Sequence, residues 1–282
     1  MQLLIVLAAI LAVSILERGV NGVPVSEHCS VKFQESLKET MRLKKSCQEA
    51  EFRDCCQVAE AAKIYNNYTP ETGVYDISNV CHDITPFTRE LFPPMQARCD
   101  MKNSDGGWTV LIRRTPDVDT PVLFNKGWDE YENGFGNLST EFWYGLKNMH
   151  CLTSRDSMEV QVDLKKSDGT SLVLSYGQFR IDGPGNQYTL HVSGQKQTGF
   201  DFLGYHNGMK FSTLDRDNDK HGGNCATSHR NGGWWFNKCY QMYLTDSPHP
   251  LLYNAGVIVY DYAELKVRPK ICLKDDETST CE

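Results

Sequence analysis

The sequence predicts a mixed α+β fold, in which a short helical segment precedes a strand-rich globular region. Two observations carry this. Residues 30–60 are charged, rich in Glu, Lys, Gln and Ala, and free of Gly and Pro, a composition that favours helix. Beyond Tyr65, short runs of alternating character lie between Gly, Asn and Asp turns, which is the texture of strands.

Taken in order, Leu3 to Ile15 form an apolar stretch too short for an ordinary transmembrane helix, followed by Val20, Asn21 and Gly22. This predicts a signal peptide over 1–22 and export of the chain to the extracellular space. Segment 23–54 is expected to be a helical linker. Phe33, Leu37 and Met41 stand four apart, a stripe covering too few turns for a coiled coil and compatible with either a docking helix or an oligomerising stalk. Strands are predicted at Trp108–Ile112, Met158–Val162, Ser171–Leu174 and Tyr188–Val192, with Asp168-Gly169 at the tip of a hairpin. Glu141–Leu146 is expected to be a short helix. Loops lengthen beyond Thr198, and 274–282 is a polar tail.

Composition narrows the function. A net charge of −7 without a basic block does not indicate a nucleic-acid or anionic-membrane surface, and no second apolar span predicts membrane insertion. Eleven cysteines point to an oxidising compartment. Their odd number allows a bond to another chain, with Cys29 and Cys47 as candidates for a disulfide-linked homo-oligomer. Asn67-Tyr-Thr69 and Asn137-Leu-Ser139 are glycan acceptor patterns. The eight histidines form no HExxH pair, and no serine lies in a GxSxG elbow, so neither zinc nor serine hydrolase chemistry is signalled.

The run Phe211–Tyr240 is the most specific part of the chain. Asp215, Asp217 and Asp219 alternate, so an extended loop turns their carboxylates toward one point, as hard oxygen donors do around calcium. An EF-hand is excluded on spacing: Lys220 stands where Gly is needed, and Ala226 where a bidentate Glu is needed. Cys225 and Cys239 bracket Trp234 and Trp235, a pair expected to pack in the core rather than stack on sugar.

Tyr75 after Gly73-Val74, Cys99-Asp-Met101 running to Gly106-Gly-Trp-Thr-Val110, Arg113-Arg114, Asn133-Gly-Phe-Gly136, Phe142-Trp-Tyr-Gly-Leu146, the 211–240 run and Lys266-Val-Arg-Pro269 occur in that order. Together they resemble the fibrinogen C-terminal domain, over about Cys55 to Cys272, with the domain itself set at 55–273. The resemblance implies a globular domain with a central antiparallel sheet and a loop-rich subdomain for calcium and ligand. It implies two disulfides, Cys225 with Cys239, and Cys99 with Cys56 or its neighbour Cys55. Whichever of the two adjacent cysteines is left pairs elsewhere, with Cys29, Cys47 or Cys81 as candidates.

Carried onto this sequence, the resemblance implies Ca2+ held by Asp217 and Asp219 with the backbone carbonyls of His221 and Gly223, while Asp215 supports the loop. It implies a pocket of His229 or Arg230, Lys238, Cys239, Tyr240, Tyr253 and Asn254, shaped by a cis peptide at Lys238-Cys239. Aromatic walls suit an acetyl methyl or a sugar face. Asn254 stands where an acid would hold a cationic peptide end, which disfavours fibrin-like peptide binding. The stretch after Gly256 is shortened, so Tyr260 or Tyr262 is the candidate for the wall it normally supplies. The expected function is a secreted calcium-binding lectin of innate-defence type, with a glycan or glycoprotein partner. The alternative is an extracellular protein-interaction module. A glycosidase reading, with Asp215, Asp217 and Asp219 as acid and base, is disfavoured because calcium claims those acids.

Overall fold

Alternation in two stretches sets the centre of the fold in the computed structural model, which describes residues 52–66, 69–78, 95–229 and 232–272. These belong to one unit, Glu51–Glu282, and the other unit, Met1–Ala50, lies outside the described residues. So do Asn67, Cys81, Arg230, Cys281 and the tail 274–282. The expectations for the signal peptide, the Phe33 stripe, Cys29 and Cys47 therefore fall outside as well.

In sequence order the elements are α1 (Cys55–Asn66), β1 (Gly73–Ile77), β2 (Met95–Asp100), β3 (Trp108–Arg114), α2 (Trp128–Asn133), β4 (Phe135–Gly136), β5 (Phe142–Trp143) and α3 (Leu146–Arg155). They continue with β6 (Met158–Lys165), β7 (Ser171–Ile181), β8 (Leu190–Gln195), α4 (Cys225–Ser228), β9 (Met242–Tyr243), β10 (Leu251–Tyr253), β11 (Val257–Val259) and β12 (Tyr262–Pro269). Among the described residues one antiparallel sheet runs β1-β2-β3-β12-β6-β7-β8, with β4 and β5 attached beside β3. A small second sheet has the order β11-β10-β9.

On β6 and β12 the apolar residues Val160, Val162, Leu164, Ala263, Leu265 and Val267 share one buried face. The opposite face is buried too, and it is ionic. Lys266 Nζ lies 2.6 Å from both Asp100 and Asp163, Arg268 Nε lies 2.8 Å from Glu159, and Arg113 pairs with Glu264. Burial pushes the Asp100 carboxyl up, but the hydrogen bond and charge of Lys266 outweigh it and hold the group below its ordinary range.

Two expectations change here. Glu141–Leu146 is not a helix: Phe142 and Trp143 pair with Arg113 and Ile112, and α3 starts at Leu146. Gly145 ends the strand with φ +94, and a Cβ there would meet the Asn133 backbone at 2.8 Å, so neither helix nor another residue fits. The strand expected from Tyr188 starts at Leu190, because Gln187 and Tyr188 take left-handed φ values of 51° and 52°. The Asp168-Gly169 hairpin joins β6 to β7 as expected.

The disulfides correct the assignment of Cys56 to Cys99. Cys99 bonds Cys55, and Cys56 bonds Cys272. Successive residues in the first turn of α1 leave the helix in different directions, so Cys55 reaches β2 while Cys56 reaches the turn after β12. Cys225 bonds Cys239 as expected, and Cys151 is also disulfide-bonded.

Candidate calcium loop and ligand site

An aromatic core fastens the 211–243 region to the sheet. Trp143 of β5 packs against Phe211 and Trp235 at 5.4 and 5.8 Å between ring centroids, and Trp234 meets Trp235 at 5.3 Å. Trp108, Trp128, Trp143, Trp234 and Trp235 are all buried, so the tryptophan pair supports the loop from beneath and offers no face to a ligand.

Asp215 anchors the acidic run. Its carboxylate accepts the N–H of Trp128, at 2.9 and 3.2 Å to the two oxygens, and the Thr213 hydroxyl at 2.6 Å. Trp128 opens α2, whose N-cap is Gly127 and therefore has no capping side chain of its own. A Cβ on Gly127 would meet Asp215 Oδ2 at 2.9 Å; the glycine leaves room for a cap delivered from 87 residues away.

Asp217 and Asp219 fold the next turn. Asp217 Oδ1 accepts the Asp219 N–H at 3.1 Å, while the two oxygens of Asp219 accept the N–H groups of His221 and Cys225 at 2.7 and 2.8 Å. Burial pushes the Asp219 carboxyl up, and the negative charge of Asp217 adds to this. Two facing carboxylates without an ion-pair partner among the described residues favour the uptake of a cation, and the all-oxygen donor set fits calcium. The His221 ring contacts the Gly223 carbonyl through Nδ1 at 3.0 Å, leaving that oxygen a second lone pair. The His221, Cys225 and Cys239 side chains also converge, but both sulfurs are committed to their disulfide, so no thiolate is available to a soft metal.

Beside this loop lies a strip of rings. His229 meets Tyr240 edge-on at 5.0 Å, and Tyr240 meets Tyr243 at 5.1 Å. Burial, and then the neighbouring His221, hold the His229 imidazole below its ordinary range, so this strip is uncharged at neutral pH. The Tyr253 N–H donates to the Gln241 carbonyl at 2.8 Å, which sets exposed Tyr253 and Asn254 next to Tyr240 in the fold. Arg230, the competitor of His229, is outside the described residues.

The matching family model is the C-terminal globular domain of the fibrinogen beta and gamma chains, over residues 63–254. The protein belongs to the fibrinogen C-terminal domain family. It is 36% identical to fibrinogen-like protein A of Apostichopus parvimensis over 207 residues, covering 70% of this chain and 68% of that one. It spans only 35% of human angiopoietin-related protein 1. The fibrinogen-like globe domain of human ANGPTL6 superposes with a TM-score of 0.63 at 27% identity, covering 78% of this chain and 96% of that one. A lamprey fibrin D-dimer complexed with the peptide Gly-His-Arg-Pro-amide gives a TM-score of 0.62 at 25% identity, covering 91% and 90%. The relatives are non-enzymatic, and this fibrinogen-like protein is a binding and interaction module rather than an enzyme. No helix among the described residues is long and apolar enough to cross a membrane.

Within this fibrinogen-like domain two pocket expectations are corrected. The Lys238-Cys239 peptide is not cis; the cis bond among the described residues is Ser247-Pro248. The backbone turns instead through a left-handed Cys239, with φ 59°, closed by the Asn237 N–H donating to the Cys239 carbonyl at 3.0 Å. A left-handed residue makes this turn without the roughly 3–4 kcal/mol of a non-proline cis peptide. Neither Tyr260 nor Tyr262 supplies the missing wall. Tyr260 is buried under Lys166, and Tyr262 lies on the main sheet between Arg113 and Lys165. The shortened stretch runs from Gly256 through β11 and on by Tyr260-Asp261 directly into β12.

The sequence did not single out Tyr205 and His206, which hold the strip from behind. Tyr205 donates its hydroxyl to the Lys238 carbonyl and accepts the Asn237 amide on its own carbonyl. Fully buried His206 bonds the Trp235 carbonyl through Nδ1 at 2.7 Å, and its Nε2 accepts the Met242 N–H at 3.1 Å. Nothing in the spacing sets His206 apart from the other histidines; its role is visible only once both loops are in place. A cavity of about 470 Å³ lies elsewhere, along β7 and β8 by Gln178, Arg180 and His191, and shares no residue with the acidic loop. Asn137 is exposed on its turn, open to a glycan.

Proposed function

We propose that this protein is a secreted, calcium-binding recognition protein of innate-defence type whose ligand is an uncharged, acetylated glycan. The observation that carries the reading is the uncharged ring strip of His229 and Tyr240, with Tyr253 beside it, adjoining a paired-carboxylate loop across the Cys225–Cys239 bond. Asp217 and Asp219, with the carbonyls of His221 and Gly223, would hold Ca2+. The ion supplies the positive charge that the acid pair lacks, so it stiffens the loop that carries the strip. Rings of this kind stack on sugar faces and enclose an acetyl methyl, and Asn254 supplies orientation without charge. A glycan array read with calcium and with chelator tests this: calcium-dependent binding to N-acetylated sugars is expected. A blank array in calcium removes the glycan class.

A second reading, a protein or peptide ligand, is supported by the missing aromatic wall and by the peptide bound in the lamprey relative. A calcium-dependent protein partner recovered alongside a blank array selects it.

A further inference from the structure

The cavity of about 470 Å³ along β7 and β8 falls in the size range of small-molecule sites. Apart from Met158, Phe179 and Val192, every residue that lines it is polar, so it suits a hydrophilic occupant. Strand pairing assembles its wall. Gln178 faces Ser193 and Arg180 faces His191 in the β7–β8 register, and residues two apart share one side of a sheet. Asp156, in the turn between α3 and β6, stands on the side toward β6, and Asn207 stands on the opposite side, beyond β8.

Hydrogen bonds fix what this wall presents. Asp182 is not a lining residue and holds both cations from outside the cavity: Oδ1 takes Arg180 Nη1 at 2.8 Å, and Oδ2 takes His191 Nε2 at 2.9 Å. Burial pushes the Asp182 carboxyl up, but the hydrogen bond and charge of His191 and the charge of Arg180 outweigh it, so the group stays ionised. A guanidinium has five N–H groups, and the rest of those on Arg180 meet no acceptor among the described residues. The Asn207 side-chain oxygen accepts the Val192 N–H at 2.9 Å, and the Gln178 side-chain oxygen accepts the Ser193 hydroxyl at 3.0 Å. Both amides therefore have their NH2 ends left over, without an acceptor among the described residues. Across from these donors, the Asp156 carboxylate accepts no hydrogen bond among the described residues.

We propose that this cavity is a second ligand site, which takes a sugar carrying a carboxylate, a single hexuronate unit. Its carboxylate lies against Arg180, its other oxygens accept from Gln178 and Asn207, and its hydroxyls at the far end donate to Asp156. The planar guanidinium fork matches a carboxylate. A neutral sugar leaves that fork without an anion, and a phosphate ester brings a second negative charge toward Asp156. A plain aliphatic acid has no hydroxyl to give Asp156. The cavity shares no residue with the ring strip or the acidic loop, so binding here needs no calcium.

The test is calorimetric titration of the full-length protein with glucuronate, glucose and acetate. Glucuronate is expected to bind, and glucose and acetate, each lacking one half of the pattern, to bind roughly tenfold or more weakly. Arg180→Gln is expected to weaken glucuronate binding by roughly tenfold or more. Asn207→Asp keeps the oxygen that accepts the Val192 N–H while replacing the NH2 donor with a negative charge, and is expected to weaken binding by a similar factor. Chelator is expected to change nothing. No heat with glucuronate, glucose bound as well as glucuronate, either variant binding like the wild type, or binding lost in chelator would each overturn the proposal. A failure with glucuronate leaves acetylated-glycan binding at the ring strip untouched, because the two sites share no residue.

Discussion

The carboxylate of Asp215 accepts the backbone N–H of Trp128 at 2.9 Å, so the first of three alternating acids caps a helix while the next two fold the turn proposed to hold calcium. The acids should therefore fail differently. Asp215→Ala is expected to lower stability by about 1–2 kcal/mol, the worth of a helix cap, and to leave one calcium bound. Asp217→Asn is expected to leave the metal-free stability within about 0.5 kcal/mol while abolishing the calcium-induced rise in melting temperature. Calorimetry of each variant with calcium and with chelator separates the two. Equal loss of calcium in both would show that Asp215 is also a ligand.

His206 makes the site sensitive to acid. Burial holds its imidazole down to about 4, against an ordinary 6.5, and its Nε2 must stay unprotonated to accept the Met242 N–H. In the unfolded state the ring takes a proton below about 6.5, whereas the folded protein refuses it until about 4. Stability is thus fully present above 6.5, is lost as pH falls from 6.5 to 4, and is flat below, a change of about 3 kcal/mol. Denaturant titrations across this window should show that slope, reduced in His206→Gln. A wild-type slope unchanged by the substitution would place the acid sensitivity elsewhere.

Lys266 is fully buried between Asp100 and Asp163. Lys266→Met leaves two buried carboxylates without their cation and is expected to cost about 3–5 kcal/mol. Double replacement, with Asp100→Asn added, should recover part of that loss. A variant as stable as the wild type would mean that water reaches this face of the sheet.

The disulfides divide into a clamp and a frame. Cys56–Cys272 spans 216 residues, and replacing both with serine is expected to cost roughly 5 kcal/mol through the conformational entropy it restores to the unfolded state, with calcium affinity unchanged. Cys225–Cys239 spans 14 and is expected to cost about 3 kcal/mol together with calcium and ligand binding. Calcium titration of the two double variants checks the division.

The fold was legible because its motifs are local and ordered. Gly106-Gly-Trp, Asn133-Gly-Phe-Gly and the 211–240 run each encode a turn or packing unit within a few residues. The alternation in β6 exposed its strand but not that its polar residues Glu159, Gln161 and Asp163 are buried; the cations that pair with Glu159 and Asp163 arrive from β12, about a hundred residues away. The adjacent Cys55 and Cys56 could not be told apart for the same reason, since the direction each leaves α1 depends on what packs there. His206 was missed because a lone histidine carries no periodicity.

What the sequence alone determined is the family and the acid loop, set by short-range patterns of residue type, and, through the resemblance those patterns carry, the antiparallel sheet, the buried tryptophans and the Cys225–Cys239 bond. The tertiary structure alone decided which cysteine takes which partner, that Asp215 caps α2, that the Lys238-Cys239 peptide is trans, and that the shortened stretch runs as β11 straight into β12. Each of these depends on groups brought together from distant parts of the sequence, where burial and hydrogen bonding, rather than local preference, select the outcome.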